Sequence, residues 1–181
     1  MYNAKSYTNY INTNLVKCFK NSLPLVVYAL PDDVYFVAFS YTTHFIHSDD
    51  LTLETRAIIA QKAEEYTPRA HFAQFVEPHG NTTDIKICRS YIPNKKCGIK
   101  RLLEYKGRYS HFLNEALLKK FGKLEKLLLA CPDTGKYDTI LVYRDNGEGW
   151  INPEYLGAIC PVNPKLENFT KELDFNDVPI I

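Results

Sequence analysis

A chain of 181 residues with 45% hydrophobic and 13% aromatic residues carries enough apolar material for a core, which excludes a mostly disordered protein. A net charge of +1 excludes a uniformly basic or acidic polypeptide, and five cysteines without a C-x-x-C pair suggest neither a disulfide framework nor a zinc ribbon. The polar start from Met1 to Tyr10 lacks the apolar run of a signal peptide, and the longest apolar stretches are too short for a bilayer, so the expectation is a soluble cytoplasmic protein without membrane contact.

The runs Leu25–Leu30 and Val34–Phe39 are rich in β-branched and aromatic residues, and Pro31-Asp32-Asp33 between them is turn chemistry, which predicts a hairpin. Both strands are apolar at almost every position, so both faces of their sheet should be covered. Asp49 or Asp50 is suited to cap a helix running to about Tyr66, with Leu53, Ala57, Ala60 and Ala63 at helical spacing. A second strand pair is expected over Ala70–Val76 and Asp84–Ile92, joined through Pro78-His79-Gly80-Asn81.

After Pro93, Ile99–Tyr105 reads as a helical turn or two, interrupted by Gly107. Ser110 then caps an expected helix whose apolar face is Phe112, Leu113, Ala116, Leu117 and Phe121, with Gly122 as its stop. A third pair, Glu125–Cys131 and Tyr137–Arg144, turns at Pro132-Asp133-Thr134-Gly135, and Asn146-Gly147 marks a tight turn before Trp150. The expected fold class is therefore α+β: an antiparallel sheet of about three hairpins with two helices packed on it, in the order ββα-ββα-ββ. One domain spans residues 1–161, and an acidic extended tail spans 162–181.

Charge is distributed unevenly. Residues 95–126 hold ten Lys/Arg against three Asp/Glu, whereas residues 127–181 hold four against nine. In the basic segment Lys95, Lys96, Lys100, Arg101, Lys106 and Arg108 are interleaved with Tyr105, Tyr109, His111 and Phe112, the mixture that neutralises phosphates and offers rings to bases. Lys119 and Lys120 have a structural explanation at the end of the expected helix. The candidate binding residues are thus Lys95, Lys96, Lys100, Arg101, Lys106, Arg108, Tyr105 and Tyr109.

Other motifs carry less chemistry. His44 and His47 have H-x-x-H spacing, with Asp49 and Asp50 following and His71 and His79 elsewhere, but positions three apart on a strand face opposite sides. Asp133-Thr134-Gly135 matches the core of aspartic-protease sites, yet a hairpin turn explains the same residues and no second copy supplies the partner carboxylate. Asp145-Asn146-Gly147-Glu148-Gly149 lacks the spacing of a calcium loop and reads as a turn. No catalytic residue, metal ligand or cofactor motif is singled out.

The last eight residues, Asp174-Phe175-Asn176-Asp177-Val178-Pro179-Ile180-Ile181, resemble the acidic tip of bacterial single-stranded-DNA-binding proteins, with isoleucine where that tip ends in phenylalanine. The resemblance implies a docking peptide for DNA-maintenance proteins. Together these features favour a non-enzymatic binding or inhibitor module engaging a nucleic acid, an acidic partner or a nucleoprotein. A phage- or plasmid-encoded inhibitor of a host defence nuclease would suit such a chain. The alternatives are a small intracellular enzyme using His44, His47, His71 or a cysteine, and a structural protein whose basic and acidic segments pair between copies.

Overall fold

The computed structural model describes residues 4–39, 41–70, 72–78, 82–94, 98–105, 108–132 and 139–160. The expected tail, the Asp133-Thr134-Gly135 turn, His71 and His79 lie outside the described residues. The fold is α+β with mostly antiparallel strands, and its contacts group into two compact units, residues 1–79 with Leu156–Ala158, and residues 80–155 with 159–181.

The first unit begins with helix α1, Ala4–Lys20. Tyr7, Ile11, Leu15 and Cys18 recur at helical spacing, and this stripe is the face the helix buries. A three-stranded antiparallel meander follows: β1 (Leu25–Ala29), β2 (Val34–Phe39) and β3 (Thr42–His47). The β1–β2 turn places Asp32 and Asp33 at φ 58 and 56, left-handed conformations that aspartate tolerates better than most side chains.

Alternation along these strands builds two apolar layers. Val27, Val37, Phe39 and Ile46 meet Ile11, Leu15 and Cys18 of α1 and Ile59 of helix α2 (Leu53–Lys62). Tyr28, Phe36 and Ala38 pack on the opposite face with Phe72, Phe75 and Val76, the last two on the short helix α3 (Ala73–Val76). The meander is covered on both sides, and each such side chain contributes about 1.5–3 kcal/mol on full burial.

Strand β4 (Ala63–Glu65) continues directly from α2 and pairs with β1 in parallel, Val27 opposite Ala63. At the other end of the meander, Leu156–Ala158 from β10 (Glu154–Ile159) lie beside β3. Gly157 is required there: its φ is +138, and an added Cβ would stand 2.1 Å from the carbonyl oxygen of Thr43.

Several expectations are corrected. The cap of α2 is Thr52, not Asp49 or Asp50, which belong to a 3-10 turn, Ser48–Asp50. The Thr52 hydroxyl accepts from the Thr55 amide, and Asn12 of α1 accepts from both the Thr52 amide and the Thr55 hydroxyl. The Asn12 amide group donates to the Thr8 and Asp50 carbonyls at 3.0 and 2.9 Å, so this buried side chain is satisfied at both ends. The stretch 70–76 is not a strand: Phe72 carbonyl accepts from the Phe75 and Val76 amides, closing a helical turn that presents its rings to the sheet.

The second unit contains a second meander, β5 (Thr82–Asn94), β6 (Gly98–Tyr105) and β7 (Arg108–Asn114), joined by β8 (Leu127–Pro132) and β9 (Ile140–Arg144) in the order β9-β8-β5-β6-β7. The helical turns expected over Ile99–Tyr105 and the helix expected from Ser110 are strands. Tyr109, His111 and Phe112 favour extended backbone, and a continuous helix would have to accommodate Gly107. Only Glu115–Leu118 is helical, as α4, capped by Asn114, whose side chain accepts from the Ala116 amide. The pair expected over Glu125–Cys131 and Tyr137–Arg144 is found as β8 and β9, with Leu129 opposite Val142. Three hairpins with two packed helices therefore understates the strands and misplaces the second helix.

Candidate binding surface

The residues singled out for binding fall on the second meander. Lys100, Arg101 and Tyr105 are on β6, and Arg108 and Tyr109 on β7, whereas Lys95, Lys96 and Lys106 lie outside the described residues. Register places Tyr105 opposite Arg108 and Tyr109 opposite Glu104. On the other side of β6, Tyr91 of β5 stands opposite Arg101, a pairing that the sequence reading missed because it left β5 paired elsewhere.

Both pairings of β6 are irregular, on either side of Leu103. Between Ile87 and Tyr91 the register of β5 slips against β6, and Ser110 is an extra residue of β7 between the pairs Leu103–His111 and Glu104–Tyr109. Such irregularities bend and twist a strand pair. They separate the end of β6 that holds Lys100 and Arg101 from the end that holds Tyr105 and leads to Arg108. The segment is paired strand, not helix.

The later lysines divide. Lys119 caps α4 and pairs with Glu115, which is 7% exposed, so this lysine compensates a buried carboxylate. Lys123 and Lys126 are exposed beside the 3-10 turn Leu124–Lys126.

Beyond β9 the chain makes a loop held by its own polar groups. The Asp145 carboxylate accepts from the amides of Gly147 and Gly149 at 2.7 and 2.9 Å, and these N–H donors hold its pKa below the ordinary value. Asn146 donates to the Asn152 carbonyl, and the Asp145 amide to the Lys126 carbonyl. The loop presents Ile151, which is 84% exposed, next to Trp150, whose ring meets Tyr143 edge-on at 5.4 Å. Arg144 and Glu154 form an ion pair nearby at 2.7 Å.

The histidine pair is not brought together. His47 is exposed and accepts from the Asp49 amide at 3.2 Å, whereas His44 is fully buried on the opposite face of β3 against Tyr7, Tyr10 and Phe39. Among the described residues no group of three His, Cys, Asp or Glu side chains is placed to hold a metal ion. Burial pushes the Cys18 thiol up, the wrong direction for a nucleophile. Among the described residues no helix is long and apolar enough to cross a membrane. No family model matches the chain, and neither a curated protein nor a solved structure does, so its surface is read from its own residues.

Proposed function

We propose that the chain is a binding module whose β5–β6–β7 meander engages nucleic acid, bare or within a nucleoprotein, with Lys95, Lys96, Lys100, Arg101, Lys106 and Arg108 as the phosphate contacts. The observation that carries this reading is the register of β6, which puts Lys100, Arg101 and Tyr105 on a strand flanked by Tyr91 on one side and by Arg108 and Tyr109 on the other. Cations close to tyrosines on paired strands supply the two groups a polynucleotide needs, charge for its phosphates and rings for its bases. A role as inhibitor of a nucleic-acid-handling complex is the form of this reading that also uses the acidic character of residues 127–181, which bare nucleic acid would repel.

Fluorescence anisotropy with a labelled 30-nucleotide single strand and the matching duplex tests it. Six phosphate contacts give a slope of log K against log salt of about −5. Reversal of Lys95, Lys96, Lys100 and Arg101 to Glu should remove binding. Affinity capture from cell extract with and without nuclease separates bare nucleic acid from a nucleoprotein. Binding to either probe that survives the reversal, or that does not respond to salt, overturns the assignment of the surface.

A further inference from the structure

In the first unit, Tyr7, His44, Thr42 and Tyr10 form one hydrogen-bonded chain. His44 has no solvent exposure, and its ring lies against Phe39 at 5.2 Å and against Tyr7 and Tyr10 at 5.5 Å each, centroid to centroid. The partners fix the proton positions. The Tyr7 hydroxyl donates to the Leu156 carbonyl of β10 at 3.2 Å, so it offers His44 Nδ1 a lone pair, and the 3.2 Å contact there makes Nδ1 the protonated nitrogen. Nε2 is then the acceptor, 2.9 Å from the Thr42 hydroxyl, which is also bonded to Tyr10. The neutral ring thus ties α1 to β3, and through Tyr7 to β10.

A proton added at Nε2 is compatible with this pattern of bonds, because Thr42 also lies within 3.4 Å of the Phe39 carbonyl and can turn its own proton there. The ring itself has no solvent exposure, so a charge on it is desolvated. Among the described residues, the titratable groups seen against the ring are Tyr7 and Tyr10 of α1, with Cys18 farther along the same helix beside Tyr10. Burial raises Tyr10 and Cys18 from their ordinary values, so neither balances an imidazolium. From β2 the ring meets Phe39, and β10 contributes the Leu156 carbonyl to Tyr7. Burial alone holds His44 at about 3. Tyr7 and Tyr10, which cover the ring from the helix, sit in the first half of α1.

We propose that this chain is an acid-operated latch, in which protonation of His44 undocks residues 4–10 of α1 from β3 and β10. The undocked ring titrates near its ordinary 6.5, and the docked ring near 3. The docked form is therefore fully favoured above pH 6.5, and each pH unit below that multiplies the undocked fraction about tenfold until the docked ring titrates too.

Hydrogen exchange on the full chain between pH 7 and pH 4.5, corrected for the intrinsic rate, tests the latch. The amides of residues 8–12 should lose protection about tenfold per pH unit below 6.5, while those of β8 and β9 keep theirs. His44→Phe, which keeps a ring and takes no proton, should flatten the dependence. Constant protection of residues 8–12 in the unmodified chain overturns the proposal. So do an unchanged slope in His44→Phe and an equal loss of protection throughout the chain, which is global acid unfolding. If His44→Phe does not fold, the ring nitrogen shifts of the unmodified chain carry the test. Protonation of His44 coincident with the loss of protection supports the latch, and loss with the ring still neutral overturns it.

Discussion

Two three-stranded antiparallel meanders occur in this chain, β1–β3 over residues 25–47 and β5–β7 over residues 82–114, and their sequences are opposite in charge. The first contains no lysine or arginine, and the second contains eight. Strand pairing is the same in both, because backbone groups pair regardless of side chain. Charge is what differs from one sequence to the other. The first meander is buried on two faces by α1 and α2 and by the rings of residues 66–76, so only apolar or fully bonded polar residues are tolerated. A strand set with eight cations cannot be buried in that way without their charges being paired.

Substitutions at the two meanders sharpen this contrast. Phe36 has no exposure and packs against Tyr28, Phe45 and Phe72, so Phe36→Ala should lose about 3–5 kcal/mol of stability in urea unfolding. Gly157→Ala, beside β3, forces a Cβ onto the Thr43 carbonyl in a backbone region that L-residues avoid. It should lose at least about 2 kcal/mol, read by the same measurement. At the second meander, reversing Lys95, Lys96, Lys100 and Arg101 to Glu should change stability by no more than about 0.5 kcal/mol per site. A loss comparable to that of Phe36→Ala would break the comparison, because it would make these cations structural.

The sequence is legible where local chemistry and tertiary use agree. Pro31-Asp32-Asp33 marks the β1–β2 turn, and the apolar runs of β8 and β9 are strands in the structure. A helix does follow Thr52, but α2 ends at Lys62 instead of Tyr66, Ala63 belongs to β4, and the buried face is Thr55, Ile58 and Ile59, while Leu53, Ala57 and Ala60 of the expected face are exposed. Helix α1 is hidden by Thr8, Asn9, Asn12, Thr13 and Asn14, which make the segment look like a polar terminus. The apolar stripe from Tyr7 to Cys18 is present, and it is the signal that finds the helix.

The basic segment was misread for the reverse reason. Phe112, Leu113, Ala116, Leu117 and Phe121 have helical spacing, but the first two belong to β7 and the next two to α4, so one apparent periodicity spans two elements. Strand β3 was missed because Thr42, Thr43, His44 and His47 look polar. Three of these are buried, and His44 and Thr43 meet partners as far away in sequence as Tyr7 and Ala158, which no local window contains. The residues proposed to bind are legible as a cluster of charge. Their arrangement was not, since the cross-strand partner of Arg101 is set by the long-range pairing of β5 with β6.

The loop that closes on Asp145 has an optical consequence. Trp150 is the only tryptophan in the chain, it is 37% exposed, and Tyr143 lies against it at 5.4 Å. Light absorbed by that tyrosine passes to the indole, and excitation selective for the indole reports on a single site in the second unit. Changes at α1 leave its colour untouched unless they propagate, and the intrinsic fluorescence thereby distinguishes a local event in the first unit from one that reaches the whole polypeptide.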